Sequence, residues 1–135
     1  MADLSIVVAS VSRVNGGMFQ GNAGATITAG QVCYLDAVTG LLKLAQSDGT
    51  LAEATVRGIA LHASLTGQPL DIQTDGAIII GGTVVIGGVY VLSAAAGNLC
   101  PVADIAPTNF VTLLGIAISA TQIQLGIVNS GIQHA

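Results

Sequence analysis

The chain has no tryptophan, and its only aromatic residues are Phe19, Tyr34, Tyr90 and Phe110. Ring surfaces dominate most cores and most sugar-binding platforms. The packing here must therefore come from Ala, Val, Ile and Leu, and an aromatic sugar platform is disfavoured. Charge is just as scarce. Arg13, Lys43 and Arg57 are the only cations, the net charge is −4, and charged residues make up 7% of the 135 residues. An ordinary soluble domain carries about 25%. Nucleic-acid binding needs clustered Lys and Arg to displace counterions from phosphates. Three scattered cations on an acidic chain do not supply that, so no nucleic acid is expected. The surface must be largely neutral, made of Ser, Thr, Gln, Gly and Ala. Depletion of charge marks the buried centre of protein interfaces. A surface that a partner covers is thus expected, with a neutral secreted monomer as the plainer alternative.

Cysteine is limited to Cys33 and Cys100, with no Cys-x-x-Cys or Cys/His cluster. Zinc is not supported, and two buried free thiols are expected. A secretory leader is not evident, because Asp3 stands where a positive n-region belongs. Gly76 to Ala103 contains no charged residue, a length sufficient to span a bilayer. However, it is rich in β-branched residues and cut by Gly pairs at 81–82 and 87–88. Such pairs separate short strands, and flanking Lys or Arg anchors are missing. No membrane partner is expected.

What the chain does contain is a repeat. Displaced by 57 residues, GATITAGQVCYLDAVTGLLKLA from Gly24 matches GGTVVIGGVYVLSAAAGNLCPV from Gly81, and TVRGIALHA (55–63) matches TLLGIAISA (112–120). Identical pairs include Gly30/Gly87, Val32/Val89, Gly40/Gly97, Leu42/Leu99, Gly58/Gly115 and Ile59/Ile116. The alternative source of the match is shared hairpin turn chemistry. Each unit reads as a strand (31–36 or 88–93), a Gly-ended turn, and a second strand (41–45 or 98–102), hence a hairpin. A polar link follows, in which TLAEA (50–54) suits one helical turn capped by Asp48 or Thr50. The third strands (56–61 and 111–118) are apolar on both faces, which places them centrally or inside an interface. Their Gly and Ala positions leave room for close backbone approach. The fourth strands (69–74 and 122–128) alternate as half-buried antiparallel strands do.

The expected fold is all-β, an antiparallel barrel or two-sheet sandwich, with jelly-roll topology among the arrangements left open. It is built from two tandem related units, about 24–76 and 81–131, in a single domain spanning 24–135. Residues 1–23 have no copy and read as an N-terminal arm, with a strand at 5–10 and a flexible loop after it.

The segments T-A-G-Q-V-x-Y-L-D-A-x-T-G-x-x-K-L-A (28–45), V-R-G-I-A-L (56–61), G-G-V-Y-V-L-S-x-x-x-G-x-L-x-P (87–101) and L-G-I-A-x-S (114–119) resemble the capsid decoration or cement proteins of tailed, notably short-tailed, bacteriophages. The resemblance covers roughly residues 28–130 and rests on turn and core motifs, which β-domains of phage tail fibres share. It implies a virion structural protein, assembled in the host cytoplasm and placed on the outer capsid surface. There it would bridge neighbouring major capsid proteins, with itself as second partner in a homodimer or homotrimer. A tail-fibre or receptor- or carbohydrate-binding module is the alternative.

Catalysis needs convergent titratable groups. His62 follows a core strand with Ser119 as its repeat counterpart, and His134 is terminal. Asp71 and Asp75 offer too few oxygens for calcium. Ser10 and Ser12 lack a nucleophile-elbow context, and no Gly pair is followed by a phosphate-loop Lys. No enzymatic activity, cofactor or metal is expected. The expected contact residues are Met18 and Phe19 on the arm and Phe110 in the second link, as exposed hydrophobic anchors. The competing role for both Phe rings is to plug the ends of the barrel.

Overall fold

The computed structural model describes residues 3–134. After a short 3-10 turn at Val8–Ser10 come eleven strands. They are β1 (Val11–Arg13), β2 (Met18–Asn22), β3 (Val32–Leu35), β4 (Leu42–Leu44), β5 (Gly58–Ala60) and β6 (Pro69–Gln73), then β7 (Asp75–Ile80), β8 (Val89–Leu92), β9 (Leu99–Pro101), β10 (Phe110–Ala117) and β11 (Gln122–Gln133). They form two antiparallel sheets, in the orders β2-β6-β5-β3-β4 and β1-β7-β11-β10-β8-β9. Apart from β1, each repeat unit builds one sheet, and the two orders match strand for strand. β7 stands to β11 as β2 stands to β6, and β8-β9 is the copy of β3-β4. The repeat thus reaches back to β2. Residues 18–22, read from sequence as part of an arm, are an integral strand, because Phe19 and Gly21 pair with Ile72 and Leu70. The equivalence was hidden because β2 and β7 share position and not residue identity.

The first sheet curls around its own apolar interior, while the second sheet lines a core that both units share. In the first unit Ala23, Ile27, Cys33, Leu42, Ala60 and Ile72 are all inaccessible to solvent. The counterparts Ile80, Val84, Tyr90, Leu99, Ala117 and Ile123 lie in that shared core, together with Val32 and Ile59 of the first unit. Close backbone approach of the third and fourth strands is shared as well. A Cβ on Gly58 would land on the carbonyl oxygen of Gln73, and one on Gly115 on that of Gln124.

The first curl closes on itself. Ala23 bridges Leu42, and the Gly24 amide donates to the Leu42 carbonyl at 2.7 Å. In the second, the N-terminal segment fills the seam: the Leu4 amide donates to Leu99 O at 2.9 Å and the Val7 amide to Gly81 O at 2.8 Å. This segment, like β1, has no copy in the other unit.

The sheets are joined by one continuous two-stranded ribbon. Arg13 faces Ile78 in one sheet, and Met18, five residues later, faces Gln73, five residues earlier, in the other. The ribbon passes between sheets at Gly16 (φ 98°) and Gly76 (φ 78°). There the backbones touch, and a Cβ on Gly76 would lie 2.5 Å from Asn15 O. Only glycine meets both the left-handed φ and the contact. Gln73, wholly buried beside this crossing, donates through Nε2 to the carbonyls of Asn15, Asp75 and Ala77 at 2.7–2.9 Å. Asn15 Oδ1 in turn accepts from the Ala77 amide at 2.9 Å. These bonds satisfy backbone groups that the sheet ladder leaves behind at the kink.

In the link, Thr50 caps the expected turn. Its Oγ1 accepts from the Glu53 amide at 3.3 Å while Glu53 Oε1 accepts from the Thr50 amide at 2.9 Å, the reciprocal pattern of a capping box.

Candidate interaction surface

The outward face of the first sheet is covered. Ala29, Val32, Ala45, Val56 and Ile59 are buried and share one core with Leu92, Leu114 and Leu125 of the second unit. The β8–β9 turn of the second unit sits against this face. Gly97 O accepts from the Val32 amide at 2.8 Å, Gly97 N donates to Ala45 O at 2.7 Å, and the Ser47 amide donates to Ser93 O at 3.0 Å. Nearby, Asn129 clamps Val56 through both its main-chain groups, at 2.8 and 3.1 Å.

The repeat-equivalent face of the second sheet is open. Ala29, Ala45 and Ile59 correspond, 57 residues on, to Ile86, Val102 and Ile116, which are 68%, 42% and 50% exposed. Val32 and Val56 correspond to Val89 and Leu113, both only half-buried. A groove of about 360 Å³ runs along this face between Val89, Leu113, Ile116, Gln124 and Val128. Gly126 at its floor has no atom within 4 Å of where a Cβ would stand. The only carboxylate or cation from Gly76 to His134 is Asp104, so the face is neutral as well as apolar. Isolated exposed aliphatic residues are ordinary, whereas a contiguous patch marks an interaction site.

The sequence-predicted contact residues lie elsewhere. Met18 and Phe19 follow one another on β2 and so point to opposite faces. Met18 is 54% exposed. The Phe19 ring packs on the first interior, with the Arg57 guanidinium 4.5 Å above its centroid. Such a contact anchors the cation and shields the ring. Phe110 begins β10 on the other sheet, packs against the shared core, and its amide donates to Ser47 O at 2.8 Å. The three residues do not form one patch. The open face escaped sequence reading as a site, although its signal was present: β10 is apolar on both sides, and the copied positions grow from Ala29 and Ala45 to Ile86 and Val102.

The β3–β4 turn is the first unit's copy of the docked turn, and it projects freely. Val38 at its tip is 93% exposed, and Leu35 at its base is 36% exposed. The turn is rigidly built. Asp36 Oδ1 accepts from the Val38 amide at 2.9 Å, the Gly40 amide donates to Asp36 O at 2.7 Å, and Lys43 Nζ donates to Asp36 Oδ2 at 2.6 Å. Lys43 and the Val38 amide hold the Asp36 carboxyl down at about 2.

His62 faces Asp71 on an exposed part of the surface. Its Nδ1 lies 2.9 Å from Ala63 O, and its Nε2 accepts from the Asp71 amide at 3.1 Å. The same Nε2 lies 3.4 Å from Asp71 Oδ2. Cys33 and Cys100 are buried free thiols. Burial raises Cys33 to about 12; burial, then the carboxylates of Asp3 and Asp104, raise Cys100 to about 11. A thiol so shifted is a poor nucleophile and metal ligand. Among the described residues, no three His, Cys, Asp or Glu side chains lie close enough to hold a metal ion, and no helix is long and apolar enough to cross a membrane.

No protein-family model matches the chain, and no curated protein matches it.

Proposed function

We propose that this chain is a capsid cement protein of a tailed bacteriophage, placed on the outside of the shell where it ties neighbouring major capsid proteins together. The observation behind this reading is the combination of two tightly built β-units with a neutral surface that leaves a broad apolar face uncovered. Such a surface fits permanent attachment to other proteins better than free diffusion. Cementing needs no chemistry. Each copy adds modest apolar and main-chain contacts, and many copies, themselves associated, add through avidity. The family resemblance of the turn motifs points the same way.

The test is addition of the purified protein to expanded capsids that lack it, followed by sedimentation and cryo-electron microscopy. Stoichiometric density above the capsid floor, with greater resistance of the shell to heat, is the expected result. Recovery of the protein in the supernatant at saturating concentration overturns the reading.

A further inference from the structure

We propose that copies of this chain associate head to tail, the β3–β4 turn of one copy seating on the open face of β8, β10 and β11 in the next. The inference deepens the self-association in the reading above and does not depend on what shell, if any, the protein binds.

A junction of this kind already exists inside one chain. The second unit's turn, Ser93 to Gly97, with Leu92 at its base, docks on the first unit's face around Val32, Ala45 and Ile59. Both halves of that junction occur twice, because the chain is a repeat. One face and one turn are consumed internally. The other face and the other turn are left over, at the two ends of the molecule's internal order: the face around Val89, Val102 and Ile116, and the turn around Leu35 and Val38. Leu92 is fully buried in the internal junction, whereas its counterpart Leu35 is partly exposed. A second copy therefore continues an interface that the fold has already established.

Two further features favour this occupant. The open face has gained bulk and not polarity relative to its covered copy, Ala29 and Ala45 being replaced by Ile86 and Val102. A face merely released to solvent has no reason to do that. The turn it would receive is neutral to the outside, since Asp36 and Lys43 neutralise each other. It is also held by its own hydrogen bonds, so little freedom is lost on docking. The contact is heterologous, with different surfaces on the two sides. Such contacts produce closed rings when the rotation per step closes, and filaments when it does not.

The experiment is mass measurement by sedimentation and light scattering of the full chain, without any capsid, over a range of concentrations. Wild type is expected to be oligomeric. Val38→Asp, at the most exposed apolar side chain, and Gly126→Lys, at an open position in the groove, are both expected to fold, as circular dichroism checks, and each to run as a monomer. Each variant keeps one sound half of the junction, so an equimolar mixture is expected to give heterodimers. A monomeric wild type overturns the proposal. So does a Val38→Asp variant that assembles like wild type while Gly126→Lys does not, since that pattern means face-to-face pairing. An oligomer that neither variant changes overturns it too, while leaving self-association, and hence the cement reading, standing.

Discussion

The two units of this protein carry the same strands in the same order, yet only the first is wrapped on both sides. Ile59 and Ile116 are identical residues at matching places on a third strand, one inaccessible to solvent and the other half exposed. The seams differ in the opposite sense. The first unit closes its curl with its own Ala23 and Gly24, whereas the second borrows residues 4–7 from the N-terminal segment. A duplicated sequence thus yields neighbours and not duplicates. Each copy's environment depends on which side the other copy occupies, and a linear repeat always leaves an unmatched end.

The largest expected effect concerns the ribbon that binds the units together. Gly76→Ala places a Cβ against Asn15 O in a left-handed conformation. It should cost about 3 kcal/mol or more, read as a loss of the cooperative thermal transition or a large fall in its midpoint. Ile59→Ala should destabilise by about 2–5 kcal/mol, while Ile116→Ala at monomer concentrations should stay within about 1 kcal/mol. Equal losses in denaturant titrations of the two would mean that the second face is already covered within a single chain.

Removing residues 1–10 should act on one unit. Cys100 lies in β9 beside the seam that residues 4–7 fill, and Cys33 lies in the self-closed unit. Both thiols should resist a disulfide reagent in the intact protein, and the truncation should make Cys100 reactive well before Cys33. Simultaneous reaction would contradict the seam assignment. Thr50→Ala removes the cap of the first link and should cost about 1 kcal/mol, measured by urea unfolding.

The smallest effect is a titration. Asp36, with a folded value of about 2, lies below the ordinary aspartate value of about 3.9. Its depressed value stabilises the fold above the ordinary range, and that contribution disappears as pH falls through about 2. Carboxyl NMR should show the low midpoint in wild type and a return toward the ordinary range in Lys43→Met.

Much of this was legible in the residues. The eight strands of the two copied halves lie close to where alternation and turn residues put them, because period-2 burial and Gly-ended turns are local properties. The capped turn at Thr50 was legible for the same reason. Strand β2 was not, since Gln20 and Gly21 do not read as strand and gain order only from pairing with β6. The open face was legible only in part. Apolar residues on both sides of β10 signalled burial or an interface, but no local pattern tells which of two equivalent faces the partner unit will cover.

The all-β class, the 57-residue repeat and the poverty of charge are all written in the order of the residues. Tertiary structure alone decided that each unit makes its own sheet, that a single ribbon kinked at Gly16 and Gly76 joins them, and that the N-terminal segment seals one seam. It also decided which copy of a shared apolar face stays open. The physical reason is one of range. Hydrophobic period and turn chemistry act between residues a few positions apart, whereas docking one unit on another satisfies groups more than fifty residues apart and can do so for only one of two identical faces.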